Sequence, residues 1–115
     1  MNLTNFRVTA GEGRTLSFTA RDASGAVLVI TDGTLLFELL TQRGGVKIFT
    51  KAGAIVSGAA GTYTVTLTDS DTENFASGNR WFRVFATVSG TTTKCNEGRV
   101  LVDGIRGEGT SETIP

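Results

Sequence analysis

Histidine is absent from this chain of 115 residues, and cysteine, proline and tryptophan occur once each. Without histidine, a serine or cysteine nucleophile lacks its usual base, and a metal lacks its commonest ligand. The single cysteine, Cys95, excludes a disulfide within the chain and is expected to be an inert thiol. The sequence therefore predicts a protein that is not an enzyme and that carries no cofactor and no metal.

An excess of charge of either sign is also missing, since the 11 basic and 11 acidic residues cancel and are scattered along the chain. Such a chain has no electrostatic footprint for nucleic acid or for an anionic membrane. No apolar run approaches the roughly 20 residues of a membrane span, and the first residues lack the pattern of a signal peptide. We expect no nucleic-acid partner, no membrane partner, and synthesis in the cytosol.

Apolar residues recur with a period of two, which is typical of β-strands with one buried face. In RTLSFTARD, for example, Leu16, Phe18 and Ala20 alternate with polar residues. Short strands of this kind, separated by turn residues every 8–12 positions, are typical of an antiparallel sandwich or a small barrel. The sequence predicts an all-β, immunoglobulin-like antiparallel β-sandwich of about seven to eight strands. Because no crossover helices are evident, we expect no parallel pairing.

Three segments of the chain contain local patterns that predict individual strands. The turn at residues 22–25 predicts a hairpin whose second strand is AVLVI, residues 26–30. The segment LLFELL has helical propensity but lies between glycine turns only about nine residues apart, which favours a strand over a helix. In GVKIFTK, alternation predicts that Phe49 shares the solvent face with two lysines.

A short helical turn is predicted near residues 70–75, where the alternation of strand residues stops. Ser70 and Glu73 have the spacing of a capping box, and Asp69 and Asp71 suit the positive end of a helix. Phe75 is expected to pack this turn onto the core. A calcium site is the alternative, but DSDTENF lacks the central glycine and the twelfth-position glutamate of an EF-hand loop.

We expect one domain, residues 1–103, followed by an arm at residues 104–115 that has almost no apolar content. At 12.1 kDa, the chain has enough residues for one core and too few for two. The first segment, Met1 to Arg14, is also expected to act as an arm that becomes ordered against a neighbouring molecule.

Several of these motifs occur in an order that resembles the small β-sandwich domains of tailed-bacteriophage virion proteins, typified by the N-terminal domain of baseplate upper proteins. The resemblance spans roughly residues 11 to 103. It consists of RTLSF at residues 14–18, an Asp-x-x-Gly turn at 22–25, Asp32-Gly33-Thr34, Phe37 to Leu39, Gly44 to Lys51, and the element GTYTVTLTDSDT at 61–72. Two departures are Ser77-Gly78-Asn79, where the family has Ala-Gly, and the end of this sequence at Pro115, where the family domain usually continues into a longer part.

The resemblance implies a structural virion protein, made in the host cytoplasm and located in the virion. We therefore predict an adaptor or decoration subunit of a tail, baseplate or capsid, with other virion proteins and copies of itself as partners. The alternative is a carbohydrate-binding adhesion module that recognises a cell-surface glycan, because sugar rings can stack on exposed aromatic side chains. The predicted contact residues are aromatic and arm residues in polar surroundings: Phe6, Phe49, Trp81, Phe85, Ile105 and Ile114.

Overall fold

The protein is an all-β sandwich of two sheets, seen in a computed structural model that describes residues 5–73, 75 and 78–103. The described residues form eight strands and one short helix. In chain order the elements are β1 (Phe6–Thr9), β2 (Arg14–Thr19), β3 (Thr34–Leu40), β4 (Lys47–Ala52), β5 (Ala54–Ser57), β6 (Thr62–Leu67), α1 (Asp69–Thr72), β7 (Gly78–Val88) and β8 (Thr91–Asp103). The predicted fold class and strand number are confirmed. The predicted arm at residues 104–115 lies outside the described residues.

Five strands form one sheet in the order β1-β8-β7-β3-β4, and three form the other in the order β2-β6-β5. The expectation of purely antiparallel pairing is wrong, because β1 lies parallel to β8, with Phe6 opposite Val100 and Thr9 opposite Asp103. A parallel pair needs a long connection. Here most of the domain lies between its first and last strands, so no crossover helix is required.

The pairing of β1 also corrects the prediction that the whole of Met1 to Arg14 is an arm. Phe6 is half-buried, and its ring centroid lies 5.0 Å from that of Phe82. Val8 is buried in the core. Within this segment, residues 6–9 are therefore an edge strand of the five-stranded sheet.

The core between the sheets is built from the alternating apolar residues of both. Phe37 of β3 and Phe82 of β7 stack at 5.6 Å between centroids, and Phe18 of β2 stacks on Tyr63 of β6 at 5.3 Å. The segment LLFELL is a strand, as predicted, with Leu35, Phe37 and Leu39 buried. The period-two pattern therefore located most of the core.

The predicted hairpin strand at residues 26–30 is wrong. The turn itself forms, because the Asp22 carboxylate accepts hydrogen bonds from the amides of Ser24 and Ala26. Beyond it, however, the amide of Leu28 donates to Ala20 while the amide of Ile30 donates to Gly58. Since these carbonyls belong to different segments, no continuous ladder forms, and a single bridge between Arg21 and Val27 remains.

The predicted faces of β4 are reversed. Phe49 lies opposite the buried Leu39, so it points toward the interior side of the sheet and packs against Phe75 in an edge-to-face contact at 5.1 Å. Val46 just before the strand and Ile48 within it are instead 70% and 44% exposed. Alternation alone could not assign the faces, because both series of residues in this strand mix apolar and polar side chains.

The N-cap of the helix α1 lies two residues earlier than predicted. Thr68, rather than Ser70, is the N-cap, and its hydroxyl accepts a hydrogen bond from the Asp71 amide while the Asp71 carboxylate accepts one from the Thr68 amide. Lys51 of β4 adds an ion pair to Asp71 at 2.8 Å. Phe75 packs against the core, as expected.

We expect Asp71→Asn to destabilise the protein at neutral pH but not in acid. The hydrogen bond and charge of Lys51, together with the Thr68 amide, hold the pKa of Asp71 below its ordinary value of 3.8. Because the folded-state pKa is the lower one, the stabilisation is fully present above the unfolded value and is lost as pH falls through the folded value. Urea unfolding at pH 7 and pH 2.5 measures it. A stability difference that is equal at both pH values would contradict this assignment.

Candidate functional site

The outer face of the five-stranded sheet, which points away from the second sheet, carries the two aromatic residues Trp81 and Phe85. Both lie on β7 and are four residues apart, so they share one face. Trp81 is opposite Leu40 of β3 and Arg99 of β8. The structure thus brings together two of the six predicted contact residues.

Between these rings lies a network of charged side chains. The Glu38 carboxylate accepts a hydrogen bond from Arg83 Nε at 2.7 Å and lies 3.7 Å from Lys47 Nζ. Glu97 is bound by Lys94 Nζ at 3.1 Å and by Trp81 Nε1 at 3.4 Å. Both carboxylates are buried beneath these partners. The centre of the outer face is therefore ordered, with each acidic group satisfied.

Two arginines lie over the aromatic rings and restrict them. The Arg43 guanidinium lies 5.2 Å from the Trp81 ring centroid, and the Arg83 guanidinium lies 5.1 Å from that of Phe85. Contacts of this kind contribute about 0.5–1 kcal/mol at exposed sites. These contacts restrict the side-chain conformations of both rings, so a molecule that packed on them would immobilise less side-chain freedom.

A cleft of about 290 Å³, which we call the arginine cleft, lies at the Trp81 end of this face. Its lining consists of Gln42, Arg43, Asn79, Arg80, Trp81 and Arg99. Arg80 donates a hydrogen bond to the Asn79 carbonyl. Within residues 5–73, 75 and 78–103, five ion pairs form, and neither Arg43 nor Arg99 takes part in them. The arginine cleft is therefore a local concentration of positive charge in a chain whose formal net charge is zero.

The other predicted contact residues occupy different places. Phe6 and Phe49 are half-buried and pack against the core, so neither stands on the outer face. Ile105 and Ile114 lie outside the described residues.

Arg43 and Arg99 were not predicted as contact residues, because their proximity to Trp81 depends on the pairing of β7 with β3 and β8. The motif RWFR, residues 80–83, was the one local signal, since it sets arginines beside an outward-facing ring.

The polar groups inside the sandwich do not form an accessible reactive site. Cys95 is 1% exposed, and burial raises its pKa. Burial likewise raises the pKa of Tyr63, whose hydroxyl donates to Asn96 Oδ1. Both groups therefore favour their protonated forms. The described part of the chain contains no group of three or more His, Cys, Asp or Glu residues that could hold a metal ion.

One acidic residue of α1, Asp71, has structural partners. Its carboxylate closes the capping box and pairs with Lys51. Across the residues that the structure describes, no helix is long and apolar enough to cross a membrane. Comparisons of the chain with protein-family models and with curated proteins gave no match.

Proposed function

We propose that this protein is a non-enzymatic structural subunit of a tailed phage or phage-like particle, an adaptor or decoration protein of its tail, baseplate or capsid. The observation that carries the proposal is the ordered outer face of the five-stranded sheet, with Trp81, Phe85 and the arginine cleft. Its partners are other virion proteins and copies of itself, and its place is the virion after synthesis in the host cytoplasm.

The chemistry of this face is that of a protein interface. Tryptophan and arginine are enriched among the residues that contribute most to binding between proteins, and they act best when surrounding contacts exclude water. Here Trp81 is half-buried, the Arg43 guanidinium lies over its ring, and Arg99 is its pairing partner on β8. A partner that covers the ring would complete its burial.

The edge of the same sheet offers a second kind of contact. β4 has a sheet neighbour on one side, β3, and Ile48 on it and Val46 before it are exposed. Edge strands present unpaired backbone groups that another chain can pair with. Packing on the outer face and pairing along β4 together describe how a subunit without catalytic chemistry joins a larger assembly.

We expect the double variant Trp81→Ala/Phe85→Ala to lose particle binding. Residues that dominate an interface cost at least about 2 kcal/mol each when truncated, so affinity should fall more than tenfold. Cosedimentation with particles from the same source that lack this subunit measures it. The matched control is Thr64→Ala/Thr66→Ala on β6 of the other sheet, which should bind normally. Equal binding by both variants would refute the assignment of this face.

The carbohydrate-binding alternative gains less support from the geometry. A sugar ring would stack on Trp81, but the Arg43 guanidinium lies over that ring. A glycan array with the same double variant separates the two functions. If the unmodified protein binds a glycan but no particles, and the double variant loses the glycan binding, the carbohydrate-binding function would replace the structural proposal.

A further inference from the structure

The positive charge of the arginine cleft suits an acidic partner, and the chain itself contains a segment of opposite charge. Residues 104–115, GIRGEGTSETIP, hold two carboxylates, Glu108 and Glu112, and a single basic residue, Arg106. The segment also carries Ile105 and Ile114 as apolar side chains. Its charge is therefore opposite to that of the cleft.

The strand β8 runs from the arginine cleft toward residue 103. Arg99, in the cleft, precedes Asp103 by four residues, which is about 13 Å along a strand. The chain at Asp103 therefore runs away from Arg99. Twelve residues span about 40 Å when fully extended, and the molecule measures 46 × 24 × 19 Å, so a chain of this length is long enough to reach an adjacent copy.

The spacing of the charges also fits. The Arg43 guanidinium, from the turn after β3, lies 5.2 Å from the Trp81 ring centroid, and Arg99 is the pairing partner of Trp81 on the neighbouring strand β8. Two strand spacings separate β3 from β8, about 10 Å. Glu108 and Glu112 are four residues apart, about 13 Å when extended. Each carboxylate can then form an ion pair with one guanidinium, whose paired N–H groups can donate to both carboxylate oxygens.

We propose that the arginine cleft binds residues 104–115 of a neighbouring copy, with Glu108 and Glu112 paired to Arg43 and Arg99 across Trp81. The contact joins the segment of one subunit to the cleft of the next. Such a head-to-tail interface closes into a ring or extends into a filament. The inference rests on the proposed assembly function, since it names one of the contacts between copies.

The test is charge reversal on the full-length protein, with self-association measured by sedimentation at low salt, where exposed ion pairs are least screened. Arg43→Glu/Arg99→Glu and Glu108→Lys/Glu112→Lys should each weaken self-association at least tenfold. An equimolar mixture of the two variants should regain it, because each reversed cleft then meets a reversed segment. Arg14→Glu/Arg21→Glu, on β2 and just beyond it, is the matched control and should associate normally.

Several results would overturn the inference. The first is an unmodified protein whose association does not depend on concentration. The second is normal self-association of both the cleft variant and the segment variant, equal to that of the control. The third is an equimolar mixture that does not recover self-association although circular dichroism shows that both variants are folded. The two experiments can fail independently. The particle-binding experiment with Trp81→Ala/Phe85→Ala tests the proposed function and does not depend on self-association. The charge-reversal experiment tests the contact between copies and is carried out without particles.

Discussion

Phe82→Ala is expected to lower the free energy of unfolding by about 3–5 kcal/mol, the usual cost of removing a fully buried ring. Phe82 is 0% exposed and touches three other rings, with centroid distances of 5.0 Å to Phe6, 5.5 Å to Phe18 and 5.6 Å to Phe37. These rings come from β1, β2 and β3. Alanine would leave a cavity where both sheets and the N-terminal strand meet, so packing cannot easily close it. Urea unfolding measures the loss.

Phe85→Ala is the matched control, since it removes the same ring from the same strand on the opposite face. Phe85 is half-buried on the outer face, where it meets the Arg83 guanidinium. We expect a loss of less than about 2 kcal/mol, because only part of the ring leaves water on folding. If the two substitutions cost the same, the burial assigned to the two faces of β7 would be wrong.

Asn96→Ala is expected to cost about 2–4 kcal/mol, although the removed side chain is polar. Asn96 is buried; its Oδ1 accepts from the Tyr63 hydroxyl and its Nδ2 donates to the Thr19 carbonyl at 3.0 Å. Tyr63 keeps its proton, since burial raises its pKa, and it therefore needs an acceptor. Alanine leaves a buried donor and a buried acceptor without this partner, which costs about 1–3 kcal/mol for each unsatisfied group.

A double-mutant cycle with Tyr63→Phe isolates this interaction. If the hydroxyl and the amide stabilise each other, Asn96→Ala should cost less in the Tyr63→Phe background, because one unsatisfied group is no longer created. Chemical denaturation of the four proteins gives the coupling energy. Strict additivity would show that Asn96 acts through the Thr19 carbonyl alone.

Much of the sandwich was predictable because strand periodicity is a local property. The alternation in β2, β3, β6 and β7 identified Leu16, Phe37, Tyr63 and Phe82 on buried faces before any pairing was known. Most positions on a buried strand face are apolar, so the alternation is visible in the sequence. In β4 that condition fails, since Lys51 lies on the inner side and is bound by Asp71 of α1. The faces of β4 were accordingly assigned the wrong way round.

The candidate site was predictable only in part, because some of its residues are set by local alternation and others by strand pairing. The outward direction of Trp81 and Phe85 follows from their positions beside Phe82 and Val84, which alternation places in the core. The approach of Arg43 and Arg99 to Trp81 depends on which strands become neighbours and in which register. Local sequence does not specify register.

The sequence by itself determined the fold class, the number of strands, most of the core and the existence of a short capped helix, since each depends on residues close together in the chain. Only the tertiary structure decided that β1 joins the last strand in parallel, that Phe6 packs against the core cluster, and that Arg43 and Arg99 line one cleft with Trp81. These features arise from contacts between residues far apart in the chain, and their formation depends on the packing of the whole sandwich.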